Sequence, residues 1–211
     1  MVRLYRFMRA EHAKTSIESR QLKVTRINEL NDPFEFFPAD LSDPKDESRF
    51  KEWKRQRNED TGLICFSKHW DNLLLWSHYA RSHSGIALGF DVAEDLIFPI
   101  KYEKERLKIS AYLKDKKYFD EKFASDIIST KSRDWEYEAE FRIFCEIRKC
   151  VSRSNNYFID FSASLILREV LIGMDCSLSS DELVKLLANF TEPVAVAKIT
   201  PSPNRFSLNK N

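Results

Sequence analysis

The sequence predicts an α+β fold: a mixed, mainly antiparallel sheet flanked by helices. Short apolar runs of strand length recur along the chain, two stretches between them carry helical spacing, and only four glycines occur in 211 residues. So few glycines leave little room for phosphate-cradling loops, and neither GxGxxG nor GxxxxGK[ST] is present. Nucleotide folds built on such loops are therefore not expected. The length suits one domain spanning residues 1–211.

The elements follow in order. Val2 to Phe7 mixes apolar residues with Arg3 and Arg6 as a short first strand does. Ala10 to Gln21 has few breakers and sets Ala13, Ile17 and Leu22 near helical spacing, after which Lys23-Val24-Thr25 becomes β-like. Asn31-Asp32-Pro33 is a turn signal, because Asn and Asp bond their own backbone and Pro fixes φ. Phe34, Phe36 and Phe37 follow it. Residues 40–61 are strongly charged and read as an insertion, with a solvated helix from Glu47 to Asn58 anchored by Phe50 and Trp53. Leu63 to Ser67 reads as a buried strand. Asp71 or Asn72 can cap a helix carrying Leu74, Leu75, His78 and Tyr79, and Gly85 to Asp91 alternates as a further strand.

Residues 103–133 read as a long charged helical segment with Leu107, Tyr112, Leu113, Phe119, Phe123, Ile127 and Ile128 as its apolar stripe. Glu136 to Ile147 gives the clearest strand signal. Leu165 to Ile172 and Val194 to Ile199 supply further strands around a helix at Ser180 to Asn189, and the tail after Pro201 reads as an edge segment or frayed end.

Charge is balanced, with 34 basic and 33 acidic residues and a net charge of +1, so no global field selects nucleic acid or an anionic membrane. The four cysteines form no CxxC pair and suit reduced thiols in a cytoplasmic protein. No run approaches the roughly 18 apolar residues of a membrane helix. His78 and His83 lack the spacing of a metal motif, and no metal is expected at them.

Three constellations carry chemistry. In Trp135 to Arg142, strand alternation would place Glu136, Glu138, Glu140 and Arg142 on one face and the aromatic rings on the other. Two carboxylates so close suit ribose hydroxyls or acid/base work, their pKa values tuned by each other or by Arg142. The same pattern also makes an ordinary half-exposed antiparallel strand. Around Cys65-Phe66-Ser67 and Trp76-Ser77-His78-Tyr79, a planar ligand can stack on Trp76 or Tyr79 while Ser67 or His78 bonds its edge. Both rings are equally placed to anchor a helix to a core. Asn31, Asp32 and Glu35 form a polar loop that is either a turn or a ligand contact. Asp32, Glu35, Glu138 and Glu140 are also hard-oxygen donors, which leaves open a metal-dependent nuclease or hydrolase.

Leu4-Tyr5-Arg6, Asn31-Asp32-Pro33-Phe34-Glu35, Cys65-Phe66-Ser67, Leu75 to Ala80, Gly85 to Asp91 and Trp135 to Arg142 together resemble a widespread bacterial family known only as a domain of unknown function. An abortive-infection protein group is similar, which implies phage defence as a setting. A more distant resemblance is to the ADP-ribosyltransferase fold, and it implies split sheets and an NAD-dependent transferase acting as a toxin or defence effector. It implies that Arg6 holds the ribose or phosphates of NAD, Ser67 supports the nicotinamide ribose, Tyr79 stacks on nicotinamide, Glu140 polarises the ribose hydroxyl, and Glu138 directs the acceptor. The chain departs from that pattern in having Phe-Ser where Ser-Thr-Ser is usual, and Phe-Arg after Glu140. A non-catalytic domain that binds a nucleotide or a partner protein uses the same residues. Nothing in the composition selects an acceptor among nucleic acid and protein.

Overall fold

The computed structural model describes residues 1–32, 34, 35, 38–109, 112 and 119–211. Pro33, Phe36, Phe37 and Leu113 lie outside the described residues. The architecture is α+β, with a large mixed, mostly antiparallel sheet. None of the described helices is long and apolar enough to cross a membrane.

Strand β1 (Val2–Met8) buries Leu4 and Tyr5. Helix α1 (Ala10–Ser19) lays Ala13 and Ile17, one turn apart, on the sheet, and stops at Arg20, whose left-handed φ of 52° lets its N–H bond back to Ile17. Strand β2 (Gln21–Arg26) then alternates, with Leu22 and Val24 buried and Lys23 exposed. After the short β3 (Ala39–Asp40), helix α2 (Pro44–Asp60) begins with Pro in its first turn and Asp43 capping the Lys45 N–H at 2.8 Å. Strand β4 (Thr61–Ser67) follows, and Asn72 caps α3 (Leu73–Tyr79) through the Leu74 N–H.

The middle of the chain holds β5 (Ile86–Val92), β6 (Ile97–Pro99), β7 (Lys101–Glu103), β8 (Leu107–Lys108), α4 (Glu121–Ile128) and β9 (Thr130–Ser132). A 3-10 helix, Arg133–Glu138, precedes β10 (Glu140–Glu146). The rest is β11 (Val151–Arg153), β12 (Asn156–Asp160), β13 (Leu165–Ile172), α5 (Ser180–Leu187), β14 (Ala195–Pro201) and β15 (Leu208–Lys210). Ser179 and Glu182 close a capping box on α5.

The main sheet runs β11-β12-β2-β4-β1-β5-β13-β14-β15, with β10 on β4 and β6 on β10. Its parallel pair is β13 with β14; β3 with β8 and β7 with β9 form separate parallel pairs. Strand β1 pairs along its whole length with β5 but meets β4 only at Tyr5 opposite Ser67. At its other end β4 meets β2, with Thr25 opposite Leu63. Between those points the registers leave Ile64 to Phe66 without a ladder partner on that side, so β1 and β2 part and a hollow opens there.

One core packs α1 and α5 on the central strands, around Leu4, Ile17, Phe66, Leu88, Phe90 and Val170. A second joins Phe50 and Trp53 of α2 to Ile27, Leu63, Phe123 and Ile127. The charged segment at 40–61 thus contributes two rings to the interior, where Phe50 contacts Phe123 edge-on at 6.3 Å.

Two expectations are corrected. The described part of 103–133 is not one long helix: strands β7, β8 and β9 surround α4, whose Phe123 and Ile127 are the part of the anticipated stripe that is fully buried. The strand expected from Glu136 begins only at Glu140. Since β4 ends opposite Glu140 at Ser67, residues before Glu140 have no strand to pair with, and they coil instead. Ala139 ends that coil in a left-handed conformation, φ 42°.

Between α3 and β5 the residues Arg81, Ser82 and His83 are all left-handed, at φ 47°, 49° and 65°. The turn closes on Gly85, where an added Cβ would lie 2.2 Å from the Met8 carbonyl oxygen and 2.9 Å from that of Ala80. Both are backbone atoms that cannot swing aside. Gly85→Ala is expected to cost about 1–3 kcal/mol by overpacking, read as a lower urea midpoint.

Candidate functional site

The hollow where β1 leaves β4 is a cavity of about 280 Å³. Arg6 comes from β1, Cys65 and Ser67 from the end of β4, Tyr79 from the last position of α3, and Glu138 and Glu140 from either side of Ala139. Asn31 and Glu35 reach it from the loop after β2, and Lys131 from β9. Residues from all three sequence constellations therefore share one wall.

The floor is an ion network. Lys131 Nζ lies 2.6 Å from Glu138, 2.8 Å from Glu35 and 3.2 Å from Glu140. Arg142, with no exposed surface, donates from Nε to Glu140 Oε1 at 2.7 Å, from one terminal nitrogen to both Glu35 oxygens at 2.8 and 2.9 Å, and from the other to the Ile128 carbonyl. Glu35, Glu138, Glu140 and Lys131 are all at most 6% exposed. Charges this dry persist only when paired and hydrogen-bonded, and here two cations face three carboxylates.

That imbalance separates the two catalytic candidates. Burial raises the Glu138 carboxyl above its ordinary value, and Lys131 and the Tyr79 hydroxyl offset this only in part. Burial acts on Glu140 too, but Arg142 and Lys131 outweigh it and hold that carboxyl down at about 2. One carboxyl is kept ionised and its neighbour is left ready to take a proton, the division of labour by which paired carboxyls acquire separate roles.

Tyr79 donates its hydroxyl to Glu138 Oε1 at 2.5 Å and accepts from Asn31 Nδ2 at 3.3 Å. Burial and Glu138 raise its phenol above the usual range, so it stays a donor. The Ser67 hydroxyl accepts the His69 N–H at 3.1 Å, which leaves its own O–H to donate. Burial also raises the Cys65 thiol, so it is no ready nucleophile.

Arg6 differs from every other cation of the site. One terminal nitrogen donates to the Lys23 carbonyl at 3.0 Å, while the other is buried and has no hydrogen-bond partner. Among the described residues no carboxylate pairs with it, and burial lowers its pKa. An unpaired buried donor costs free energy unless a ligand satisfies it.

Trp76 and His78 are not brought to the cavity. Trp76 is fully buried in a third core with Tyr5 and Ala87, donating its indole N–H to Trp70 and meeting Phe7 edge-on at 5.1 Å. A ring in that position anchors α3 and has no face to offer a ligand. His78 points outward to the Tyr137 hydroxyl at 3.0 Å. Asp32 holds the turn, accepting the Phe34 N–H at 2.9 Å. Of the four acidic residues that could have shared a divalent cation, Glu35, Glu138 and Glu140 all contact the Lys131 ammonium, and Asp32 bonds its own turn. Among the described residues no three His, Cys, Asp or Glu side chains are placed to hold a metal ion.

Lys131 and Tyr102 went unsingled in the sequence. Tyr102 accepts the Glu140 N–H at 2.7 Å and so fixes the start of β10. Lys131 also lines a neighbouring cavity of about 590 Å³ with Phe34, Arg106, Trp135 and Tyr137, its ammonium 4.9 Å from the Trp135 ring.

No curated protein and no solved structure matches this chain. A family model does: residues 75–143, which carry Tyr79, Lys131, Glu138, Glu140 and Arg142, match the family described as "Protein of unknown function (DUF2971)".

Proposed function

We propose that the cavity binds the nicotinamide-ribose end of NAD and that the protein is an ADP-ribosyltransferase-like enzyme. The observation that carries this reading is the meeting of Arg6, a half-buried residue with one buried guanidinium nitrogen that has no partner among the described residues, with two differently poised carboxyls, Glu138 and Glu140, in one hollow. A free cation suits a phosphate. Breaking the bond between nicotinamide and ribose develops positive charge on the ribose, and a carboxylate held ionised, as Glu140 is, stabilises it. The electron pair leaves with nicotinamide, the acceptor forms the new bond to the ribose carbon, and its proton passes to Glu138. Tyr79 supplies a ring beside these groups. At about 280 Å³ the cavity fits a nucleoside rather than a whole dinucleotide, so the remainder of NAD extends past the open rim. Consumption of NAD would suit the defence or toxin setting.

A second reading, a sensor that binds a nucleotide without turnover, is favoured by the engagement of both Glu140 oxygens with Arg142 and Lys131. Calorimetry with NAD and an assay for released nicotinamide separate the two. Arg6→Gln is expected to weaken binding about tenfold, the value of one charge-assisted bond. Glu138→Gln is expected to keep binding and to lower nicotinamide release about 10²-fold. Binding without release by the wild type would leave the sensor; no binding at all would overturn both.

A further inference from the structure

We propose that Lys131 is a positioning residue for the reaction, its ammonium setting the charge on Glu138 and holding that carboxylate at the cavity wall beside Glu140. The inference rests on the reading of Glu138 as proton acceptor and goes beyond it, since Lys131 belongs to no recognised motif of the chain.

The geometry assigns the two cations different tasks. Arg142 reaches Glu35 and Glu140 with its fork and does not bond Glu138. Among the described residues only Lys131 neutralises Glu138, at 2.6 Å, the shortest of its three ion pairs. The other groups acting on Glu138 carry no positive charge: the Tyr79 hydroxyl bonds it, Glu140 repels it, and the phenols of Tyr102 and Tyr137 face it. Glu140 is met by both Lys131 and Arg142, and Glu35 by these two and by the nearby Lys54 ammonium, whereas Glu138 has Lys131 alone. The least compensated member receives the next proton, and that member is Glu138. Lys131 itself is only 6% exposed, with its far side against the Trp135 ring. Breaking these pairs would leave buried carboxylates without a counter-charge, which holds the ammonium in place.

The test follows Glu138 directly. Carboxyl-¹³C NMR on glutamate-labelled protein, with Glu138→Gln to assign the signal, gives the titration midpoint of Glu138 in the wild type, Lys131→Met and Lys131→Arg. Loss of a cation at this distance is expected to raise the midpoint by roughly 1–3 pH units, and Lys131→Arg to restore it. The acid limb of nicotinamide release moves by the same amount. Should Lys131→Met fail to fold, the double variant Lys131→Met/Glu35→Gln removes one carboxylate together with the cation and still takes away the one cation that bonds Glu138 among the described residues, so a rise is again expected. Coincident midpoints in the wild type and in Lys131→Met, or in the wild type and the double variant, would overturn the proposal. A shifted midpoint in a protein that releases no nicotinamide would instead overturn the proposed reaction and leave Lys131 its role.

Discussion

Arg142→Met is expected to destabilise the fold by about 3–5 kcal/mol, the usual cost of removing one partner from a buried ion network. The side chain is entirely buried and its guanidinium bonds Glu35, Glu140 and the Ile128 carbonyl at once. It therefore ties the loop after β2, the start of β10 and the end of α4 into one unit. Methionine keeps much of the volume, so the loss is electrostatic: Glu35 and Glu140 would be left with Lys131, which already serves Glu138. For a chain of this length the change corresponds to a fall in Tm of roughly 6–20 °C. The double variant Arg142→Met/Glu140→Gln is expected to cost less than the sum of its single changes, because both remove the same contact. Urea denaturation measures all three, and a loss below about 1 kcal/mol for Arg142→Met would mean that the network does not hold these elements together.

Whatever depended on local pattern could be read from the sequence. Alternation at Ile86–Val92 and Leu165–Ile172, the Asn72 cap and the Ser179 box identify their elements because each records a contact between near neighbours. The grouping of Arg6, Ser67, Tyr79 and Glu140 was legible only as motif order; the structure turns that order into a shared cavity. What stayed hidden depended on where another strand stops. Trp135 to Glu138 alternates as a strand should, yet β4 ends at Ser67 and leaves it no partner. The left-handed Ala139 has no sequence signature, since alanine disfavours that conformation. Lys131 was equally invisible: a lone lysine in a charged stretch reads as solvated, and only the three glutamates gathered from 35, 138 and 140 explain its burial. For Trp76 and His78, residue type suggested a ligand, whereas position on α3 decides otherwise: one ring faces the core and the other faces solvent.

Glu140→Gln is expected to cost about 3 kcal/mol near neutral pH and progressively less in acid. The carboxyl is held at about 2 in the folded protein against an ordinary value of 4.5, and a difference of that size corresponds to about 3 kcal/mol of preference for the ionised form in the native state. Because the folded value is depressed, the stabilisation is present in full above the unfolded value. It drains away as pH falls from about 4.5 toward about 2, where the native carboxylate finally binds its proton. Glu138 works in the opposite sense: its folded value is raised, so its contribution is complete below the unfolded value and is lost as pH rises through the folded one. The wild-type curve contains both effects, and the difference between wild type and Glu140→Gln isolates the first, apart from a lowering of the Glu138 value once its negative neighbour is gone. Urea midpoints for the two proteins, measured from pH 7 down to the acid transition, should therefore converge as pH drops below about 4.5. A gap that stays constant across this range would show that Glu140 stabilises the fold by shape and hydrogen bonding alone, and the electrostatic role assigned to it at the ribose would lose its physical basis.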